Sequence, residues 1–276
     1  MSAIATPHPE FFSLDGPDRL ADRRGTLGRT AAAERFAERT RRPGLVCVTL
    51  PAEVATVAAL RTAARLLGPV VDAVLLDEPA GGAGLALTHR AAVLRAEGAE
   101  VIVVLGRRDR NRVALEGELA ALADIDVAAV LIAAGHGTAG DAAADDPSGG
   151  VCDLSAAQLA ALARRAGHTV AVPEPFSATE DLAPEPDLRV LGAGEPRPPA
   201  ARPHPAPPML AVLPVDLADA AHGPAAIRAV VAASRAATRR PGVVGVLLEG
   251  RRGGRTDAAV SATIARIAGA VREAQA

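Results

Sequence analysis

The sequence predicts an α/β protein, a (β/α)8 TIM-like barrel with an altered, proline-rich sixth unit. Two observations carry that expectation. Eight short apolar runs recur along the 276 residues with helix-like segments between most of them, and charged or glycine-rich residues follow almost every run. Continuous apolar runs mark strands buried on both faces, the pattern of a parallel sheet covered by helices. Eight of them fit a closed barrel, with a doubly wound open sheet as the competing topology.

Residues 1 to 28 carry Pro7, Pro9, Gly16, Pro17, Gly25 and Gly28 without a settled period, and are expected to form an irregular arm or cap. Thr30 can cap a helix over Ala31 to Arg41, which Pro43-Gly44 ends. Residues 1–44 are therefore read as an N-terminal arm and helix, and 45–276 as one barrel domain.

The first strand is expected over Leu45 to Leu50, a helix over Val54 to Leu67, and the second strand over Val70 to Leu76. After Asp77-Glu78-Pro79 comes a glycine-rich stretch, Gly81-Gly82-Ala83-Gly84, then a helix that Thr88 can cap and Gly98 ends. Strand three covers Val101 to Leu105, with a helix from about Arg112 to Ala123 behind it. Val127 to Ala133 and His168 to Val172 read as strands four and five, separated by a glycine-rich loop and a helix capped by Ser155.

Between Pro173 and Pro208 there are eleven prolines, and only Leu188 to Leu191 has strand character there. Proline removes a backbone donor and blocks the helix interior, so this loop, 173–208, replaces a regular unit. Met209 to Val215 resumes as a strand, Pro224 to Thr238 as a helix with proline in its first turn, and Val243 to Leu248 as the last strand. The final helix runs from about Asp257 to Glu273.

Composition narrows the function. A net charge of -2 gives no electrostatic case for nucleic acid. Lysine is absent, which excludes a lysine Schiff base and ordinary pyridoxal phosphate chemistry. Aromatics are limited to Phe11, Phe12, Phe36 and Phe176, so the core must be aliphatic. Cys47 and Cys152 are too few for a disulfide framework, and no two histidines have metal-ligand spacing, so no metal site is expected. With no leader-like start and no long apolar run, a cytoplasmic protein without membrane contact is expected. Alanine-rich helix faces near 225–237 and 258–270 are compatible with a homo-oligomer or a partner subunit.

The strongest site signal is Val101 to Arg112, five apolar residues that end in Arg108-Asp109-Arg110-Asn111-Arg112. Guanidinium groups bind phosphate or carboxylate bidentately, and the C-terminal end of a barrel strand is where such enzymes keep their chemistry. The same residues can equally cap and pair the next helix. Gly135-His136-Gly137-Thr138-Ala139-Gly140 has dinucleotide-loop spacing but no clear helix behind it, so it reads as a phosphate- or ring-contacting loop. Glu53, Asp77, Glu78 and Glu174 each lie just beyond a strand, where carboxylates can serve as acid or base groups or as caps.

Several of these stretches together resemble the methylenetetrahydrofolate reductase family. The resemblance rests on Leu66-Leu67-Gly68-Pro69-Val70-Val71-Asp72-Ala73-Val74, on Arg108 to Arg112 with Ala114, Leu115 and Leu119, on Val130 to Gly135, and on Val151-Cys152-Asp153-Leu154 with Gln158-Leu159. It implies a barrel carrying FAD, reduced by NAD(P)H, that passes hydride to a folate one-carbon substrate. It further implies cofactor contacts from Arg108, Asp109, Arg110, Asn111, Gly135 and Asp153, and a substrate contact from Glu174. Where that family keeps its proton donor this sequence has Thr49, with Glu53 four residues on, and where it keeps a flavin-facing aspartate this sequence has His136. The resemblance therefore implies either catalysis with His136 and Glu53 in the acid or electrostatic roles, or an accessory relative that binds a flavin, a folate or a partner subunit.

Overall fold

A computed structural model describes residues 28–51, 54–77, 84–107, 110–133, 154–174, 185–192, 206–218, 223–251 and 257–275. Eight parallel strands close on themselves in chain order: β1 (Leu45–Leu50), β2 (Ala73–Leu76), β3 (Val101–Leu105), β4 (Ala129–Ile132), β5 (Val170–Glu174), β6 (Leu188–Leu191), β7 (Met209–Asp216) and β8 (Val243–Arg251). The helices are α1 (Ala31–Arg39), α2 (Val57–Leu67), α3 (Leu87–Ala96), α4 (Arg112–Asp124), α5 (Ala156–Arg165), α6 (Pro224–Thr238) and α7 (Asp257–Gln275). Pairing of β1 with β8 settles the choice between barrel and open sheet in favour of the barrel. Most of the proline-rich loop, 175–184 and 193–205, lies outside the described residues, and on either side of it β5 pairs with β6 and β6 with β7.

Strand residues divide by parity into two apolar layers. Leu45, Cys47, Ala73, Leu75, Ile102, Leu131, Leu188, Leu210 and Leu247 fill the barrel interior. Their neighbours Val46, Val48, Val74, Leu76, Val101, Val103, Val130 and Val172 face the helices. Closure of β8 on β1 requires a glycine. A Cβ at Gly245, which pairs with Leu45, would stand 2.0 Å from the Leu45 carbonyl oxygen.

The N-terminal end of the barrel is plugged by α1. Thr30 caps this helix through the Ala33 N–H, and Phe36 joins the interior apolar layer. The plug is tied down by the Thr169 hydroxyl, which donates to the Ala33 carbonyl at 2.9 Å, and by the Thr30 N–H donating to the Gly167 carbonyl at 3.1 Å.

Carboxylates just ahead of the strands complete this face. Asp72 accepts the Val46 N–H at 2.8 Å, Asp126 the Ala32 N–H at 2.8 Å, and Asp187 the Val170 N–H at 2.9 Å. Arginines pair with the same groups, Arg39 with Asp72, Arg95 with Asp126 and Arg29 with Asp187, while Arg35 and Arg95 also meet Glu100. Backbone donors and guanidinium groups thus converge on each of the three aspartates, so this end of the barrel is built for stability.

Several element ends shift: the first helix stops at Arg39, α2 starts at Val57 behind a Thr56 cap, β4 covers only Ala129–Ile132, and β5 and β8 run on to Glu174 and Arg251. Three further shifts have a cause in the backbone or the cap. β2 begins at Ala73 and not Val70, because the Val70 and Val71 N–H groups both turn back to the Leu67 carbonyl at the end of α2. β5 begins at Val170, since the His168 N–H is held by Ala163 at the end of α5. α3 begins at Leu87, so Thr88 is already inside the helix and the residue in the cap position is Ala86, which makes no side-chain cap bond. No helix among the described residues is long and apolar enough to cross a membrane.

Candidate functional site at the barrel mouth

Parity carries the interior series upward to the C-terminal mouth. On β1 the series 45, 47 continues to Thr49, on β8 the series 245, 247 continues to Glu249, and on β2 the series 73, 75 continues to Asp77. Thr49 pairs with both Leu75 and Glu249, so a hydroxyl and a carboxylate share one layer. Asp77 comes one residue after Leu76, the partner of Leu50, and stands one step higher. Adjacent strands lie about 4.8 Å apart, which leaves Glu249 and Asp77 about 10 Å from each other across β1.

Asp77 is half-buried. Burial pushes its carboxyl above the ordinary carboxylate range, and the guanidinium of Arg90 beside it offsets part of that rise. Arg90 comes from α3 and is 1% exposed. Its Nη1 donates to the Asp77 carbonyl at 2.8 Å, which fixes the end of β2 against α3. Burial in turn weakens the hold of Arg90 on its proton and the Asp77 charge strengthens it, but a guanidinium stays protonated near neutral pH. One strand further, Arg107 continues the outward series of β3, and its Nη1 donates to the Leu154 carbonyl just ahead of α5 at 3.1 Å.

The charged stretch after β3 is largely engaged in its own loop and helix. Asn111 caps α4 by accepting the Ala114 N–H at 2.9 Å. Arg110 donates to the Gly106 carbonyl at 3.2 Å and pairs with Glu118 at 3.4 Å, and Arg112 pairs with Glu116 at 2.8 Å. Glu118, half-buried, is pushed above the usual carboxylate range by desolvation, with Arg110 opposing the shift.

Glu174 lies on the outward parity of β5 with Val170 and Val172, and pairs with Arg189 of β6 at 2.6 Å. The structure therefore does not bring Glu174 to the same surface as Asp77. Glu53, Arg108, Asp109, Gly135, His136 and Asp153 lie outside the described residues. Among the described residues no group of three His, Cys, Asp or Glu side chains could hold a metal ion.

Sequence reading missed Arg90, Arg107 and Glu249. A signal for Arg90 was present. Leu87, Ala91 and Leu94 form the buried stripe of α3 and residue 90 falls on it, so an arginine there must enter the interior.

A closed barrel of eight parallel strands in chain order, with helices packed around it, defines the class: a TIM barrel. Similar solved structures agree on the fold. One is tryptophan synthase from M. tuberculosis, 12% identical, with a TM-score of 0.51 over 90% of this chain and 99% of that chain. Another is a protein from Aquifex aeolicus VF5, 10% identical, with a TM-score of 0.51 over 90% of this chain and 99% of that chain. At these identities the likeness concerns the fold alone.

By sequence, the chain is similar to phosphoenolpyruvate guanylyltransferase of Streptomyces avermitilis, 37% identical over 116 residues, 42% of this chain and 49% of that protein. The chain thus spans about half the length of this curated relative. No family profile matches it.

These findings overturn the resemblance to methylenetetrahydrofolate reductase. The curated relative carries the name of a phosphoenolpyruvate enzyme, and neither it nor the two similar structures is a folate reductase. The FAD cofactor, the flavoprotein reading and flavin-dependent hydride transfer to a folate are corrected with it, as is an accessory role defined by flavin or folate. The physical reason lies in what the strongest motif does. An apolar strand followed by a charged run with an Asx cap is what a barrel needs to turn from β3 into α4, so the pattern reports the scaffold more than the cofactor.

Proposed function

We propose that the protein is a barrel enzyme acting on a small phosphorylated carboxylic acid of the phosphoenolpyruvate kind, with Asp77 as the proton-transfer group. The observation that carries this reading is the place of Asp77: at the mouth, on the inward series of β2, with its carboxyl raised by burial and a buried guanidinium beside it. A carboxyl raised toward neutral pH can both give and take a proton, which an ordinary surface aspartate does poorly. The name of the Streptomyces avermitilis relative supplies the substrate class. Because the chain spans about half of that relative, the reading concerns the small acid and not guanylyl transfer.

The mouth suits such a substrate electrostatically. Asp77 and Glu249 alone would repel an anion, and Arg90, reaching from α3 to the end of β2, offsets that repulsion. The Thr49 hydroxyl stands between the two acids and can donate to a substrate oxygen.

The test is nuclear magnetic resonance of the full chain with phosphoenolpyruvate in deuterated water. Binding is expected to shift or broaden the phosphorus signal. Proton transfer to the methylene carbon and back is expected to exchange its vinyl protons for deuterium, with exchange lost in Asp77→Asn. A phosphorus signal untouched by excess protein overturns the substrate class, and exchange that persists in Asp77→Asn overturns the role of Asp77.

A further inference from the structure

Burying an arginine is costly unless its donors are matched, and elsewhere in this protein they are largely matched by carboxylates. Arg39 has Asp72, Arg95 has Glu100 and Asp126, and Arg189 has Glu174. Arg90 is the most deeply buried of these, yet among the described residues only its Nη1 has a partner, the Asp77 carbonyl. Its Nε and Nη2 are both buried and make no hydrogen bond among the described residues. Those two N–H groups form one edge of the guanidinium, the edge that grips a carboxylate or phosphate with two parallel bonds.

A second set of donors lies alongside. α1, α2, α4 and α5 have their first turns capped by Thr30, Thr56, Asn111 and Ser155, whereas α3, with Ala86 in the cap position, has no side-chain cap and no acidic residue in its first turn, as is also true of α6 behind Gly223. The opening N–H groups of α3 have no partner within the helix itself and carry the positive end of its dipole. Arg90 is the fourth residue of α3, and helical side chains lean toward the N-terminus, so its guanidinium lies over that same turn. The bond to Asp77 places this cluster at the mouth of the barrel.

We infer that the open edge of Arg90 and the uncapped first turn of α3 form a binding site for the phosphate or carboxylate group of a small acid, beside Asp77. The site deepens the functional reading by saying where the substrate's anionic group is held, and the use of phosphoenolpyruvate as a probe rests on that reading. The buried, half-satisfied guanidinium stands without it. An anion here would supply the acceptors that Arg90 lacks and orient the acid toward the Asp77 carboxyl.

The experiment follows the melting temperature and phosphorus spectrum of the full chain against inorganic phosphate, phosphoenolpyruvate and pyruvate, in wild type, Arg90→Lys and Arg90→Met. Phosphate and phosphoenolpyruvate are expected to raise the wild-type melting temperature. Arg90→Met is expected to abolish that increment without lowering the starting temperature, because it removes an incompletely paired buried charge. Arg90→Lys keeps the charge without the planar edge and is expected to bind about tenfold more weakly.

An increment that survives in Arg90→Met overturns the site, as does a wild type that responds to none of the three probes. If Arg90→Met does not fold, Arg90→Lys decides, and wild-type affinity in that variant overturns the site. Arg90-dependent binding of phosphate without binding of phosphoenolpyruvate upholds the site and removes the substrate reading. Binding of phosphoenolpyruvate that ignores Arg90 does the reverse.

Discussion

Arg272, in the last helix, meets Asp72, just ahead of β2, at 2.9 Å, and its Nε donates to the Val70 carbonyl at 2.9 Å. Asp72 at the same time accepts the Val46 N–H and pairs with Arg39, so one carboxylate joins α1, β1, β2 and α7. Asp72→Ala is expected to destabilise the barrel by about 2–4 kcal/mol, because it strands a backbone donor and two cations at once. Arg272→Ala, whose side chain is more exposed, is expected to cost about 1 kcal/mol. Urea unfolding of both single variants and the double variant measures this, and strict additivity would mean that the two residues do not act together.

Phe36 plugs the lower end of the interior at 3% exposure. Phe36→Ala is expected to lower stability by about 3–5 kcal/mol, with Phe36→Leu losing less. The readout is the urea midpoint. A loss under about 1 kcal/mol would show that α1 is an appendage and not part of the barrel core.

His168 is 1% exposed and sits with Nε2 2.9 Å from the Leu119 carbonyl. A carbonyl only accepts, so Nε2 carries the proton, and the buried Nδ1 has no partner among the described residues. Burial holds the imidazole below its ordinary range, against the bond to Leu119. The unfolded chain therefore binds the proton more readily, and the stabilisation from the neutral ring is present above pH ~6.5 and lost as pH falls through the lower folded value. Melting curves between neutral and acid pH are expected to show a decline that is shallower in His168→Gln. Identical slopes in the two proteins would remove His168 from the acid response.

Asp77 works in the opposite direction. Its folded carboxyl is raised, so its contribution to stability is present below the ordinary carboxylate range and lost as pH rises through the folded value. Asp77→Asn is expected to melt higher than wild type at pH ~7 while losing deuterium exchange into phosphoenolpyruvate. A variant that melts lower at that pH would indicate a structural carboxylate and not a strained functional one.

Much of the scaffold can be read from residues alone. Val101 to Leu105 and the caps Thr30 and Ser155 each act through local rules of period or capping, and the structure realises them. Among the element ends that moved, those at Val70, His168 and Thr88 did so because backbone N–H groups found partners in the preceding helix or the helix began a residue early. Such competition between a helix end and a strand start is not visible in hydrophobic pattern.

The site was less legible. The Arg108 to Arg112 run drew attention as a charge cluster after a strand, yet Asn111 and Arg112 serve α4, and Arg110 pairs with Glu118. Arg90 went unnoticed although it falls on the apolar stripe of Leu87, Ala91 and Leu94, and its half-matched donors show only once the Asp77 carbonyl is fixed beside it.

By itself the sequence determined the alternation of strands and helices, the aliphatic core and the altered sixth unit, because periodicity and turn chemistry act within a few residues. Only the tertiary structure decided that β8 closes on β1, which parity faces inward, and that Asp77, Glu249 and Arg90 meet at one mouth. Those relations join residues up to about two hundred positions apart, and parallel strands bring such residues together through register and closure, to which no short stretch of sequence has access.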